Sequence, residues 1–186
     1  MINRLRISAG FYFYLAVLLL ILPLKWMFAI IIAAVFHEFC HLLAIRLCGR
    51  KISRLEIRPF SANMEVSDLT RGQECICAAA GPAGSLALLA FLPWFPRLAV
   101  CAALHGIYNL LPLYPLDGGR ILKTLLLILF SPKSAQIVMK TVETILIATV
   151  ILLVIYLAFF QKMGLLALNI ASIFLIGLAK NGRDRD

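Results

Sequence analysis

The chain has 186 residues, 62% of them hydrophobic, and a mean hydropathy of +0.96. A soluble globular domain is only about half apolar, so this composition excludes an ordinary soluble enzyme or binding domain. The formal net charge of +9 is compatible with nucleic acid or with a membrane surface as partner. The positions of the charges along the chain decide between these two.

Long apolar stretches predict an all-α, polytopic membrane protein with about six transmembrane helices, since each crossing needs about 20 apolar residues. No small-residue cleavage site follows the first stretch, so we expect it to be retained rather than removed as a signal peptide. The whole chain, 1–186, is predicted to be a single membrane-embedded domain. The predicted spans are about 8–24, 26–48, 72–92, 98–113, 135–160 and 163–180.

The Lys and Arg residues fall mainly on one side of these spans. Fifteen of the 18 lie at the termini, at the end of the second span, in the 49–71 loop and in the region after the fourth span. The other side carries only Lys25, Arg97 and Lys162. By the positive-inside rule, both termini are cytoplasmic in a cell membrane. Topology therefore explains the basic charge, and we expect the lipid bilayer as partner and no nucleic acid.

The stretch 50–67 differs from the apolar segments around it. In "KISRLEIRPFSANMEV" apolar and polar residues alternate on both sides of Pro59, which is typical of two short strands. We expect a small β-hairpin on the cytoplasmic side. An ordinary loop with a chance alternation is the alternative.

The second predicted helix carries the most unusual motif of the chain, "FHEFCHLLA". Residues four apart lie one turn above each other on a helix, so His37 and His41 can reach one metal ion. Glu38 lies beside them, about 100° round the helix, where it can take a proton from a water molecule at the metal. An ionisable side chain inside a membrane costs about 2.5–3.5 kcal/mol and is seldom idle. Polar groups hydrogen-bonded to one another without a metal are the alternative.

A catalytic zinc site has three protein ligands and a water molecule, so His37 and His41 need a third partner. The candidates are His105, Glu143 and Asp117. Asp117 is favoured because it lies in "NLLPLYPLDGGR", where two prolines break the helix at a similar depth and two glycines allow close approach of the backbone. Its alternative role is to cap a helix through "GGRILKTLLLILF".

In their order and spacing, "FHEFCHLLA", "GPAGS" and "NLLPLYPLDGGR" resemble the site-2 protease family of intramembrane zinc metalloproteases, and within it the sporulation-type members. The resemblance covers nearly the whole chain. It implies a Zn²⁺ ion held by His37, His41 and Asp117, with Glu38 as general acid and base. Asn109 matches a polar residue near the substrate. The sporulation-type members carry a nucleotide-binding CBS domain after the last span, and from the short tail "KNGRDRD" we expect this chain to lack one.

The resemblance implies hydrolysis of a peptide bond in a membrane-associated protein, such as the precursor of a regulatory or sigma factor. A membrane-anchored inhibitor or activator is a further expected partner, and the pathway would be regulated intramembrane proteolysis, as in sporulation.

Four other functions stay open. An HExxH membrane protease of another type would use Glu143 as third ligand. A metal transporter would spread its ligands along a pathway. A di-iron oxidase would need many more histidines than the three of this chain. A catalytically inactive binder of membrane partners would not need the intact Glu38.

Overall fold

The computed structural model describes residues 5–7, 12, 16, 19, 20, 22–57 and 62–159. The predicted span 163–180 lies outside these residues, and the predicted span 8–24 lies largely outside them. The elements, in chain order, are β1 (Leu5–Ile7), α1 (Leu24–Leu47), β2 (Ile52–Ile57), β3 (Ala62–Val66), α2 (Arg71–Ala87) with a 3₁₀ turn after it (Leu88–Phe91), α3 (Pro96–Asn109), α4 (Asp117–Leu129) and α5 (Pro132–Phe159).

The chain divides into two compact units, Met1–Ile128 and Leu129–Asp186. The first contains the sheet, α1, α2, α3 and nearly all of α4, and the second contains α5. The prediction of one membrane-embedded domain over 1–186 stays a prediction.

Within the described part of the chain, three helices are long and apolar enough to cross a membrane: Leu24–Leu47, Arg71–Phe91 and Pro132–Tyr156. They match the predicted spans 26–48, 72–92 and 135–160 to within a few residues. The chain is therefore a multi-pass membrane protein. The count of six spans and the cytoplasmic position of the termini stay predictions.

Helix α1 has two faces of different composition. The buried face consists mainly of small or polar residues four apart: Ala29, Ala33, His37, His41 and Ile45. The exposed face carries large apolar side chains: Phe28, Ile32, Val35, Phe39 and Leu43. Small residues let neighbouring helix backbones approach closely in a membrane, and α2 and α3 both pack against α1 and against each other. The large side chains remain for contact with lipid.

Local signals in the sequence determine where the loop between α1 and α2 begins and ends. Helix α1 ends before Gly49, whose φ of 71° is the left-handed conformation that terminates helices. Helix α2 begins with a capping box, in which the Thr70 side chain accepts a hydrogen bond from the Gln73 N–H and the Gln73 side chain accepts one from the Thr70 N–H. Both satisfy backbone groups that a helix end would otherwise leave unpaired.

The loop contains the two predicted strands. β2 and β3 pair antiparallel, with Leu55 opposite Met64. β1 pairs with the other edge of β2 in parallel, with Leu5 opposite Leu55, which gives the sheet order β1-β2-β3. β1 was not predicted from the sequence, because three residues show no readable alternation and its partner is distant in sequence. The cytoplasmic position of the sheet stays a prediction.

The fourth predicted span is too long at its C-terminal end. It was placed at 98–113, but α3 ends at Asn109. Pro112 has no N–H to donate, and its ring disfavours the helical conformation of Leu111. A helix after Asp117 was predicted only through the alternative role of that residue as a helix cap. The structure contains this helix, α4, which starts at Asp117.

The second unit contains α5. The Oγ of Ser131 accepts a hydrogen bond from the Ser134 N–H just before the helix. Along the helix the hydroxyls of Thr141, Thr144 and Thr149 each donate to the carbonyl four residues earlier. This pairing satisfies the hydroxyl groups of a helix that is largely apolar.

Candidate metal centre

Three side-chain atoms meet in the interior of the first unit. The Nε2 of His37 lies 3.1 Å from the Nε2 of His41 and 3.1 Å from the Oδ2 of Asp117, and His41 Nε2 lies 3.0 Å from that same oxygen. The three residues are between 1% and 7% exposed. Among the described residues they form the group able to hold a metal ion. These are the three residues that the sequence predicts as candidate metal ligands.

The chemistry of the three atoms fits a cation. The carbonyl of Cys77 can only accept a hydrogen bond, so His41 donates to it from Nδ1, at 2.7 Å. In the neutral ring this leaves a lone pair on Nε2, directed toward an ionised carboxylate that also has only lone pairs to offer. Tetrahedral Zn²⁺ with ligands at about 2.0–2.1 Å would hold them about 3.3 Å apart, close to the spacing of 3.0–3.1 Å found here. The residues present therefore fit a zinc ion.

Helix α2 approaches the two histidines at a glycine. A Cβ on Gly81 would overlap the Nε2 of His41 and crowd the Nε2 of His37. A side chain at this position would therefore displace the ligand atoms, whereas glycine lets the α2 backbone lie directly against both rings.

Close packing of the backbone positions Asp117. A Cβ on Gly118 would overlap the carbonyl oxygen of Leu110, and one on Gly119 would overlap the backbone of Leu113. Only glycine at both positions lets the first turn of α4 lie against the segment that follows α3. Asp117 is the first residue of α4, and its Oδ2 faces both histidines; its alternative role as a helix cap stays a prediction. Its second oxygen, Oδ1, lies 3.9 Å from the Nη1 of Arg120.

The other predicted site residues occupy different positions. Glu38 is partly exposed on α1, next to His37. Asn109 is buried at the end of α3, and its side-chain amide donates to the His105 carbonyl at 3.0 Å; its predicted contact with substrate stays a prediction. Glu143 lies on α5 in the second unit, and its alternative role as third ligand stays a prediction.

Three contacts surround the two histidines, and the last two of them were not predicted. The ring of His105 packs edge to face against that of His37, with centroids 4.6 Å apart and an interplanar angle of 87°. The Oγ of Ser85 lies 2.9 Å from the Nδ1 of His37, and the carbonyl of Cys77 binds His41. The signal for the last two was present, because Cys77, Gly81 and Ser85 share the four-residue spacing of the histidine pair.

Comparison with known proteins adds a sequence match and a fold match to this geometry. The model of a family described as Peptidase family M50 matches residues 74–157, a segment that contains Asn109 and Asp117. The fold is similar to that of a site-2 protease from Methanocaldococcus jannaschii, with a TM-score of 0.66 and 20% sequence identity. That match covers 91% of this chain and 86% of the other. No curated protein sequence matches the chain. The fold is therefore that of a multi-pass membrane protein similar to a site-2 protease, and part of the sequence carries the M50 pattern.

Proposed function

We propose that this protein is an intramembrane zinc metalloprotease of the site-2 protease family. The observation that carries the proposal is the convergence of His37 Nε2, His41 Nε2 and Asp117 Oδ2 to within 3.1 Å of one another. They converge in a unit whose described residues include two helices long and apolar enough to cross a membrane. The Peptidase family M50 match over 74–157 and the similarity of the fold support the same class.

The residues divide the chemistry between them. His37, His41 and Asp117 would hold the ion, which when bound lowers the pKa of water and polarises a carbonyl group. Glu38 takes the proton of the attacking water as the new C–O bond forms. It then gives that proton to the leaving amine as the C–N bond of the peptide breaks. Both transfers need a carboxylate beside the ligands, and the position after His37 provides one.

The geometry also bears on the alternatives. A transporter needs ligands distributed along a route, whereas these three atoms point at one position. An HExxH protease completed by Glu143 would need a ligand from α5, but α4 already supplies a carboxylate 3.0–3.1 Å from both histidines. Both observations support hydrolysis with Asp117 as third ligand.

The substrate we propose is a membrane-associated protein, such as the precursor of a transcription factor, released into the cytoplasm by a single cut. A transmembrane helix hides its peptide bonds, so it must unwind before it is cut. Among the described strands, β3 is the longer of the two at the edges of the sheet. We propose that the unwound segment pairs with β3, since strand addition holds a peptide extended through its backbone.

The proposed orientation places both termini and the sheet in the cytoplasm. Single cysteines introduced as Ala62→Cys and Trp94→Cys, in a background without the five native cysteines, test it in intact cells. An impermeant thiol reagent should label position 94 and spare position 62. The reverse pattern would invert the topology.

The catalytic function is tested with the full chain in liposomes and a tagged transmembrane peptide that carries a helix-breaking residue near its centre. A zinc chelator should abolish cleavage, and added Zn²⁺ should restore it. Cleavage that continues at the same rate after the protein has lost its metal would overturn the proposal. Replacing the helix-breaking residue with Leu should slow cleavage more than exchanging a neighbouring apolar side chain. The opposite ranking would rule out capture by strand pairing.

A further inference from the structure

One face of α2 holds both histidines of the metal centre. Cys77, Gly81 and Ser85 lie four residues apart on that helix, as His37 and His41 do on α1. The Cys77 carbonyl lies 2.7 Å from His41 Nδ1, the Ser85 hydroxyl lies 2.9 Å from His37 Nδ1, and Gly81 lies against the ring nitrogens between them. Each ring therefore has one nitrogen at the metal centre and the other in a hydrogen bond to α2.

Different contacts determine which nitrogen carries the proton in each of the two rings. A carbonyl only accepts, so the proton of His41 lies on Nδ1. A serine hydroxyl either donates or accepts, so the contact with Ser85 does not by itself determine which nitrogen of His37 carries the proton. The surroundings of the other ring nitrogen, Nε2, determine it. Its Nε2 lies 3.1 Å from both Asp117 Oδ2 and His41 Nε2, and a cation held there requires the proton to be on Nδ1. The Ser85 oxygen then accepts a hydrogen bond from this N–H.

We propose that Ser85 is a positioning residue of the metal centre. Its hydroxyl accepts the hydrogen bond from His37 Nδ1, keeps Nε2 unprotonated and directed at the ion, and so raises the affinity for the metal. This inference rests on the proposed zinc centre and would hold for any substrate.

The surroundings of Ser85 make the hydroxyl hard to replace. Ser85 is 0% exposed, and α3 presses on it, since a Cβ on Gly106 would come within 2.9 Å of the Ser85 Cβ. Without the hydroxyl, the buried N–H of His37 loses its partner. Such outer hydrogen bonds to metal-binding histidines typically contribute about 10–100-fold in affinity or activity. The partner of His41 is a backbone atom that no side-chain substitution removes, so the effect is confined to His37.

The experiment measures Zn²⁺ affinity of the full chain in detergent by competition with a chromogenic chelator. Ser85→Ala should still bind one ion at saturation, because all three ligands remain, with an affinity lower by roughly 10–100-fold. Thr124→Ala is the matched control, because it removes another buried hydroxyl, 2% exposed, two turns along α4 from Asp117; its affinity should equal that of the unsubstituted protein. Unfolding temperatures of the metal-free proteins show whether the two variants lose stability alike.

A second variant protects the test against misfolding of the first. Ser85→Cys nearly keeps the volume and replaces the hydroxyl with a weaker acceptor, so its affinity should also fall. Unchanged affinity in either folded Ser85 variant, beside tight binding by the unsubstituted protein, would overturn the role of Ser85 alone. Failure of the unsubstituted protein to bind zinc would overturn the proposed function as well.

Discussion

The two halves of the proposed metal centre are built in different ways. His37 and His41 stand on an uninterrupted helix, one turn apart on its buried face, so their spacing in the sequence is enough to bring them together. Asp117 follows the non-helical segment between α3 and α4, and close backbone contacts at Gly118 and Gly119 set its position. The histidine half therefore depends on side-chain register and the aspartate half on backbone packing. Substitutions should affect the two halves by different routes.

The largest expected effect is removal of the aspartate ligand. Asp117→Ala leaves two histidines, one protein ligand fewer than catalytic zinc usually has, so zinc content should fall from about one ion per chain to near zero. Cleavage should fall to background in the same sample. Elemental analysis of the purified proteins measures the first effect.

Glu143→Ala and His105→Ala are the controls for this result, and both should keep their zinc. Full zinc in Asp117→Ala together with a loss in Glu143→Ala would assign the third ligand to α5. The proposed aspartate half of the site would then be wrong.

The next effect tests whether backbone packing places the aspartate. In Gly118→Ala the new Cβ overlaps the Leu110 carbonyl oxygen, so the start of α4 must shift and carry Asp117 with it. A displacement of about 1 Å can lower a rate by about 10²-fold, and we expect a loss of this order in cleavage, with weaker zinc binding.

Gly72→Ala is the matched control, because a Cβ there meets nothing within 4 Å. It lies in the first turn of α2, where alanine is the better helix former by up to about 1 kcal/mol. Equal activities of the Gly118 and Gly72 variants would show that the glycine contact does not position the ligand.

The smallest effect concerns the histidine helix as a packed element. Ala33 is 1% exposed and packs with Cys101 and Ala102, whereas Val35 is 64% exposed on the opposite face. Ala33→Leu should therefore lower the free energy of unfolding by about 1–3 kcal/mol through overpacking, and Val35→Leu should leave it nearly unchanged. Denaturation in detergent measures both, and equal values would mean that the two faces of α1 are not distinguished by packing.

The same contrast explains what could be predicted from the sequence. The pair His37 and His41 is a local signal, readable from the helical repeat alone. Asp117 could be selected only through the prolines and glycines around it. The same prolines also end α3, which was predicted four residues too long. β1 pairs with a strand far from it in the chain, for which the sequence gives no local pattern. The four-residue spacing of Cys77, Gly81 and Ser85 is readable, but a repeat on one helix does not tell which other helix it contacts.

The central claim is that the metal centre activates water for peptide hydrolysis with Glu38 as its base. Glu38→Gln tests it most directly, with zinc content and cleavage of the liposome substrate measured on the same preparation. The account predicts a full complement of zinc, because all three ligands are intact, and a loss of cleavage of about 10²–10⁴-fold, the usual contribution of a general acid–base group. Cleavage by the zinc-loaded Glu38→Gln protein at the rate of the unsubstituted protein would contradict it.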